Sequence, residues 1–320
     1  MNFQTMWCII FLFLIQYVNS LHPLMKQNLT KEDVLKYRTS EYSPKQFNGT
    51  LLTYITPWNL YGLNLLEKNK HKIDIVSPVL FTIQSYNGKN EIIGEDELQI
   101  VGYPRYTFNS ITGDLKNVGK LIKEHCIKHS SICNGIMIDG IYTLYQYYKK
   151  EMGKQLVSML EELKKFKIVI AIPPMFIFTE HEIELTKKYI ELYVVMTYDY
   201  FYRGGIYNSP ISFIDSSMKY IKAKGPQFAI GINFYGYAHC KNKQPVVVDR
   251  KTYYNWVKLS TGPFKWNEPA KEHTFIAQDC IIDYPTLEYI KVRINYAIKN
   301  NFSIGIWELG QGLDYFMDIF

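Results

Sequence analysis

Apolar and polar positions alternate along this chain in two periods. Short β-branched and aromatic runs are separated by stretches in which apolar residues recur every three or four positions. The runs predict strands at Leu51–Trp58, Ile73–Ile83, Leu98–Phe108, Ile132–Tyr142, Lys167–Pro173, Tyr193–Tyr200, Phe228–Tyr237 and Phe302–Leu309. Most are apolar without alternation, as strands covered on both faces are. Helical stretches between them imply parallel α/β architecture, and eight strands suggest a (β/α)8 TIM barrel.

Helix signals agree with that reading. Ser209-Pro210 opens a helix that Gly225-Pro226 closes, and Thr179 with Glu182 has the form of a capping box before Ile183 and Leu185. Leu156, Met159, Leu160 and Leu163 form one helical stripe. Tyr284-Pro285 begins another helix, with Leu287, Ile290, Ile294 and Ile298 on one face. Both stripes are expected to be core.

The pattern breaks in two places. Between strands 2 and 3, Ser85–Glu97 has the hairpin signal Asn87-Gly88 but no room for a helix, so that quarter of the barrel must be irregular. Between strands 7 and 8, residues 238–283 are long enough for an inserted subdomain over the barrel's C-terminal face. The expected organisation is a segment 1–20, an N-terminal extension 21–50, and a barrel domain 51–320 carrying that insertion.

Composition narrows the class. Over 320 residues, 47% hydrophobic and 21% charged positions fit a globular chain. The net charge of +6 is dispersed, without the basic tract of a nucleic-acid reader. Residues 1–20 carry an apolar run from Trp7 to Ile15, then Val18-Asn19-Ser20, which predicts a signal peptide and a mature chain from Leu21. A retained membrane anchor is the alternative, because no Lys or Arg precedes the run. No later segment has the unbroken apolar length of a membrane span.

Secretion makes cystines the expected state of Cys126, Cys133, Cys240 and Cys280 once Cys8 leaves with the signal. They fall in two neighbourhoods, so Cys126–Cys133 and Cys240–Cys280 are expected among the three pairings. Asn28, Asn48 and Asn301 begin glycosylation sequons. His125 and His129 stand four apart on one helix, but two histidines without a third ligand make a solvated face, and no metal or cofactor is expected. The chain has no Gly-x-Ser-x-Gly elbow, phosphate loop or dinucleotide fingerprint.

In a barrel of this kind the C-terminal ends of the strands build the site. Here they offer Tyr54 and Trp58, Asp139, Tyr198 and Asp199, Tyr235, and Trp307 with Glu308. Aromatic faces with a few carboxylates and hydroxyls suit a sugar ring, whose C–H face stacks while its hydroxyls bond acceptors. These eight residues are the candidate ligand-binding set. For any one aromatic taken alone, core packing is the commoner role.

At this point the chain resembles glycoside hydrolase family 18, the chitinases and their lectin-like relatives. The family's fourth-strand motif is Asp-Gly-x-Asp-x-Asp-x-Glu, and its positions here are Asn134, Gly135, Met137, Asp139 and Ile141. One aspartate survives and the glutamate does not. Met196-x-Tyr198-Asp199 matches the sixth-strand motif, and Trp307 the tryptophan that floors the sugar subsite. Tyr54-Ile-Thr-Pro-Trp-Asn59, Ile172-Pro-Pro174 and Ile306-Trp-Glu-Leu-Gly310 also resemble the chitinase-domain-containing, stabilin-interacting branch of that family.

The resemblance implies a secreted or lysosomal protein that binds chitin-type, N-acetylglucosamine-containing oligosaccharides and has a scavenger receptor of the stabilin type as partner. Family 18 hydrolysis is substrate-assisted: the N-acetyl oxygen attacks the anomeric carbon while the glutamate protonates the leaving oxygen. Ile141 cannot donate a proton, so a catalytically silent binding protein is expected. The alternatives are a weak glycosidase using Glu308, Asp199 or Asp139 as the acid, and a receptor-interacting scaffold with a vestigial groove.

Overall fold

The computed structural model describes residues 22–37, 42–95, 98–175 and 177–320. The expected signal segment 1–20, with Cys8, lies outside the described residues.

Eight parallel strands close on themselves, as the runs predict. They are β1 (Leu51–Ile55), β2 (Ile75–Tyr86), β4 (Arg105–Phe108), β5 (Ile136–Ile138), β6 (Ile168–Ile172), β7 (Leu192–Val195), β8 (Phe228–Asn233) and β14 (Ser303–Trp307). Each pairs with the next in that order, and β14 closes onto β1 through Leu51↔Ile304 and Thr53↔Ile306. Strands β1, β5, β6, β7 and β8 are buried at every position, which explains their unbroken apolar runs.

Successive side chains point to opposite faces, so the strands feed two clusters. Leu52, Tyr54, Ile75, Val79, Met137, Val169 and Val194 fill the inside of the barrel, with Met196 and Trp307 packed against them. Leu51, Ile55, Ile136, Ile138, Ile168 and Ile170 face outward against the helices. Those helices include α2 (Tyr61–Asn69), α3 (Leu115–Lys128), α4 (Ile141–Tyr148), α5 (Met152–Leu163), α6 (Glu180–Thr186), α7 (Ile211–Tyr220) and α9 (Leu287–Asn300).

Most local signals operate as read, except that α7 ends at Tyr220, ahead of the Gly225-Pro226 expected to close it. Thr179 and Glu182 form a complete capping box on α6, Pro210 precedes α7, and Leu156, Met159, Leu160 and Leu163 of α5 are buried. On α9 the inner face is Leu287, Ile290, Ile294 and Ala297, whereas Ile298 is 58% exposed, contrary to the stripe expected. It belongs to the last turn, where Ala297 fills the inner position and Asn301 ends the helix in the left-handed conformation.

The irregular quarter is a hairpin arm. Strand β3 (Lys89–Ile93) folds back antiparallel on β2 around Asn87-Gly88, whose φ values of 48° and 73° suit the tight turn of such hairpins. The insertion after β8 is a second, antiparallel sheet in the order β10-β9-β13-β12-β11, made of β9 (Gly236–Cys240), β10 (Val246–Val248), β11 (Lys265–Asn267), β12 (Glu272–Ala277) and β13 (Cys280–Asp283), with α8 (Arg250–Lys258). The extension carries α1 (Lys31–Lys36), and Lys31 Nζ donates to the carbonyl of Lys258 at 2.6 Å, fastening the extension to the insertion.

Both disulfides are present as expected, Cys126–Cys133 and Cys240–Cys280. His125 and His129 stack at 4.4 Å, but His125 is not on a solvated face: it packs edge-on against Phe81, and its Nδ1 is 3.0 Å from the Tyr106 hydroxyl. Burial lowers its pKa to about 4. No helix among the described residues is long and apolar enough to cross a membrane.

Candidate functional site

The C-terminal ends of β1, β5, β7, β8 and β14, with the first residue of β4, bring one group of side chains together. Tyr54 from β1 and Trp307 from β14 meet edge to face at 4.9 Å, lying on the apolar fill of the barrel. The Tyr54 hydroxyl points at Met137 Sδ, 3.8 Å away, so a thioether stands where the family motif has its middle aspartate.

Arg105, the first residue of β4, supplies the charge that sequence reasoning missed. Its Nε donates to Asp139 Oδ2 at 2.6 Å, its Nη2 lies 2.6 Å from the same oxygen, and its guanidinium carbon is 5.6 Å from the centre of the Trp307 ring. The other oxygen of Asp139 accepts the N–H of Gly140 at 2.5 Å. The surviving motif aspartate is therefore fixed in place by a cation and a backbone amide. The sequence shows Arg105 only as one charge inside the expected strand Leu98–Phe108, with an acid at the end of the next strand, and such a signal is too common to read.

Gly140 decides where the next side chain goes. It adopts φ 79°, and a Cβ there would press within 2.9 Å of Thr107 Oγ1. Helix α4 begins immediately after it, so Ile141 does not continue the strand's alternation into the barrel. It is fully buried in the outer cluster, among the residues packed between sheet and helices.

Tyr198 and Asp199 follow β7. Asp199 takes the left-handed conformation at φ 61°, held there by Asn208 Oδ1, which accepts its N–H at 2.7 Å. Its Oδ1 accepts hydrogen bonds from the hydroxyls of Tyr235 and Tyr237, the latter at 2.9 Å. Burial raises the Asp199 pKa, and the two phenols oppose that rise. The Tyr198 hydroxyl is pushed well above its ordinary range, first by burial and then by Tyr54, Asp139 and Asp199. Tyr237 thus joins the group, whereas the sequence singled out Tyr235 alone.

The structure separates two of the candidates from the others. Trp58 is 68% exposed in the loop after β1. Glu308 is fully buried: Asn59 Nδ2 donates to its Oε1 at 2.7 Å and Gly310 N to its Oε2 at 3.0 Å. It braces the β1–α2 loop against the turn after β14, and burial raises its pKa to about 7. A strand-end position did not distinguish a side chain aimed at the mouth from one aimed behind it.

Behind Asp199 lies a buried ion pair. Glu272 accepts the N–H groups of Asn208 and Ser209 at 3.1 and 2.8 Å, while the fully buried Arg293 donates to the carbonyls of Ser209, Ala270, Lys271 and Tyr289. Insertion and barrel helix together fix the loop that holds Asp199. Among the described residues, the one cluster with metal-ligand spacing is Cys240, Asp279 and Cys280, whose two sulfurs are joined to each other.

Residues 107–312 match the model of glycosyl hydrolases family 18, and the chain belongs to that family. Its fold is similar to a chitinase from Chromobacterium violaceum ATCC 12472, with a TM-score of 0.66 and 12% identity over 85% of this chain and 97% of that one. It is similar to the spore cortex-lytic enzyme SleL of Bacillus megaterium QM B1551, with a TM-score of 0.64 and 16% identity over 87% and 74%. A mutant class V chitinase from Nicotiana tobaccum in complex with NAG4 matches with a TM-score of 0.61 and 11% identity over 85% and 97%. At these identities the likeness shows the fold.

Proposed function

We propose that this chain is a chitinase-like protein that binds N-acetylglucosamine-type oligosaccharides at the C-terminal face of its barrel without hydrolysing them. The observation that carries this reading is the fate of the motif's acids. Ile141 occupies the donor position and packs outside the barrel, and Asp139 is paired with Arg105. Asp199 is committed to two phenols and Glu308 to Asn59 and Gly310. Without a proton donor in the groove, general-acid assistance worth roughly 10²–10⁴-fold is lost.

Binding rests on what remains. Trp307 offers an aromatic surface with Tyr54 buried behind it, and Tyr198, Asp139 and Arg105 offer polar atoms beside it. One relative of this fold was crystallised with NAG4. Export to the extracellular space or lysosome is part of the proposal, supported by two disulfides and by exposed Asn28, Asn48 and Asn301 in glycosylation sequons. A scavenger receptor of the stabilin type is the protein partner that the branch resemblance suggests.

Incubation of the secreted protein with chitotetraose, followed by mass spectrometry of the products, tests the reading. Intact oligosaccharide with saturable binding is expected. Cleavage that survives buffer controls and is lost in Asp199→Asn would instead make the chain a weak glycosidase.

A further inference from the structure

The Arg105–Asp139 pair uses only one side of the guanidinium. Nε and Nη2 both reach Asp139 Oδ2, which closes the fork on that edge. The second fork, Nη1 together with the remaining hydrogen of Nη2, meets no acceptor among the described residues, and Nη1 is not a buried orphan. The side chain keeps 17% exposure beside Trp307. An arginine with one fork anchored and the other open is a preorganised receptor for a planar pair of oxygens.

A second cationic feature lies further along the same segment. Helix α4 starts at Ile141, directly after the Asp139-Gly140 corner, and its eight residues carry the chain about 12 Å at 1.5 Å per residue. At its end a cavity of about 1080 Å³ opens between the segments that follow β5 and β6. Tyr145, Tyr148 and Ile177 give it apolar surface, Lys149 and Lys150 stand at its edge, and of its two carboxylates Glu151 is paired with Lys154 and Glu182 accepts the N–H of Thr179. Both lysines are exposed and neither pairs with an acid among the described residues. Aromatic rings for the C–H faces of a sugar, with ammonium groups beside them, suit an acidic saccharide.

We propose that the groove selects oligosaccharides in which N-acetylated sugars are combined with carboxylate-bearing ones, Arg105 receiving a carboxylate through its open fork and Lys149 and Lys150 engaging a second along the chain. This rests on the saccharide-binding reading above and names the class of ligand.

The test compares chitohexaose with a hexasaccharide of alternating N-acetylglucosamine and glucuronate, by titration calorimetry at low and raised ionic strength. The acidic ligand is expected to bind about tenfold more tightly at low salt, the equivalent of one added charge-assisted contact, with the advantage shrinking as salt screens it. Arg105→Lys keeps the charge opposite Asp139 but removes the fork, and should abolish most of the preference for the acidic ligand over chitohexaose. Lys149→Gln with Lys150→Gln, both on the surface, should flatten the salt dependence without altering the melting temperature. Equal or weaker binding of the acidic ligand by the wild-type protein would overturn the proposal while leaving saccharide binding intact. Failure of both ligands to bind would sink it together with the reading on which it rests.

Discussion

Arg105 and Asp139 meet through a single oxygen: the Nε and Nη2 of the arginine both lie 2.6 Å from Asp139 Oδ2. The pair sits at the barrel mouth with side chains only 17% and 11% exposed, so neither charge is well hydrated alone. Asp139→Asn, which strands the arginine, should destabilise the protein by about 2–5 kcal/mol in urea unfolding. Combining it with Arg105→Met should recover much of that loss. Additive losses in the double variant would mean that the two groups do not act as a pair.

Glu308 gives a pH dependence whose sign follows from its burial. Its folded pKa is raised from 4.5 to about 7, so the folded state holds a proton that the unfolded state releases earlier. The associated stability is fully present below pH 4.5 and is lost as pH rises through about 7, by about 3 kcal/mol for a shift of that size. Glu308→Gln should therefore flatten the fall in stability between those pH values. Parallel curves for variant and wild type would show that Glu308 ionises normally.

The disulfides close loops of unequal length, with sequence separations of 7 and 40. Loop-closure entropy assigns the longer about 4 kcal/mol and the shorter about 2 kcal/mol. Paired alanine substitutions should lower the melting temperature more for Cys240–Cys280, which joins β9 to β13 in the inserted sheet, than for Cys126–Cys133. The reverse order would show that the inserted sheet holds without its cross-link.

Asn208 links Asp199 to the buried Arg293–Glu272 pair. Asn208→Ala should weaken saccharide binding by about tenfold, since it frees the backbone of Asp199 from its left-handed conformation. Glu272→Ala should act in the same direction and also cost stability, because it leaves Arg293 buried without its carboxylate. Unchanged binding in the Asn208 variant would remove Asp199 from the site.

The barrel was legible because parallel strands covered on both faces are nearly all apolar: Ile168–Ile172 and Phe228–Asn233 announce themselves by composition. The hairpin at Asn87-Gly88 and the capping box at Thr179 were legible because their chemistry is local. The site was less so. Asp139, Tyr198, Asp199 and Trp307 could be named from their strand-end positions, but Arg105 is a lone charge in a strand, and nothing local says which acid it meets. Glu308 follows Trp307 directly, yet its carboxyl turns back to Asn59, some 250 positions earlier in the chain. Ile141 takes the donor position only through the motif resemblance, and its exit from the barrel depends on the backbone turn at Gly140.

The central claim is that the barrel mouth holds a saccharide and does not cut it. It is tested most directly by titrating the secreted protein with chitotetraose while the same samples are assayed for shorter products, with Trp307→Ala in parallel. The account predicts saturable binding, a loss of about thirtyfold or more in the variant, and no products. Products dependent on Asp139 or Asp199 would contradict it, as would binding indifferent to Trp307.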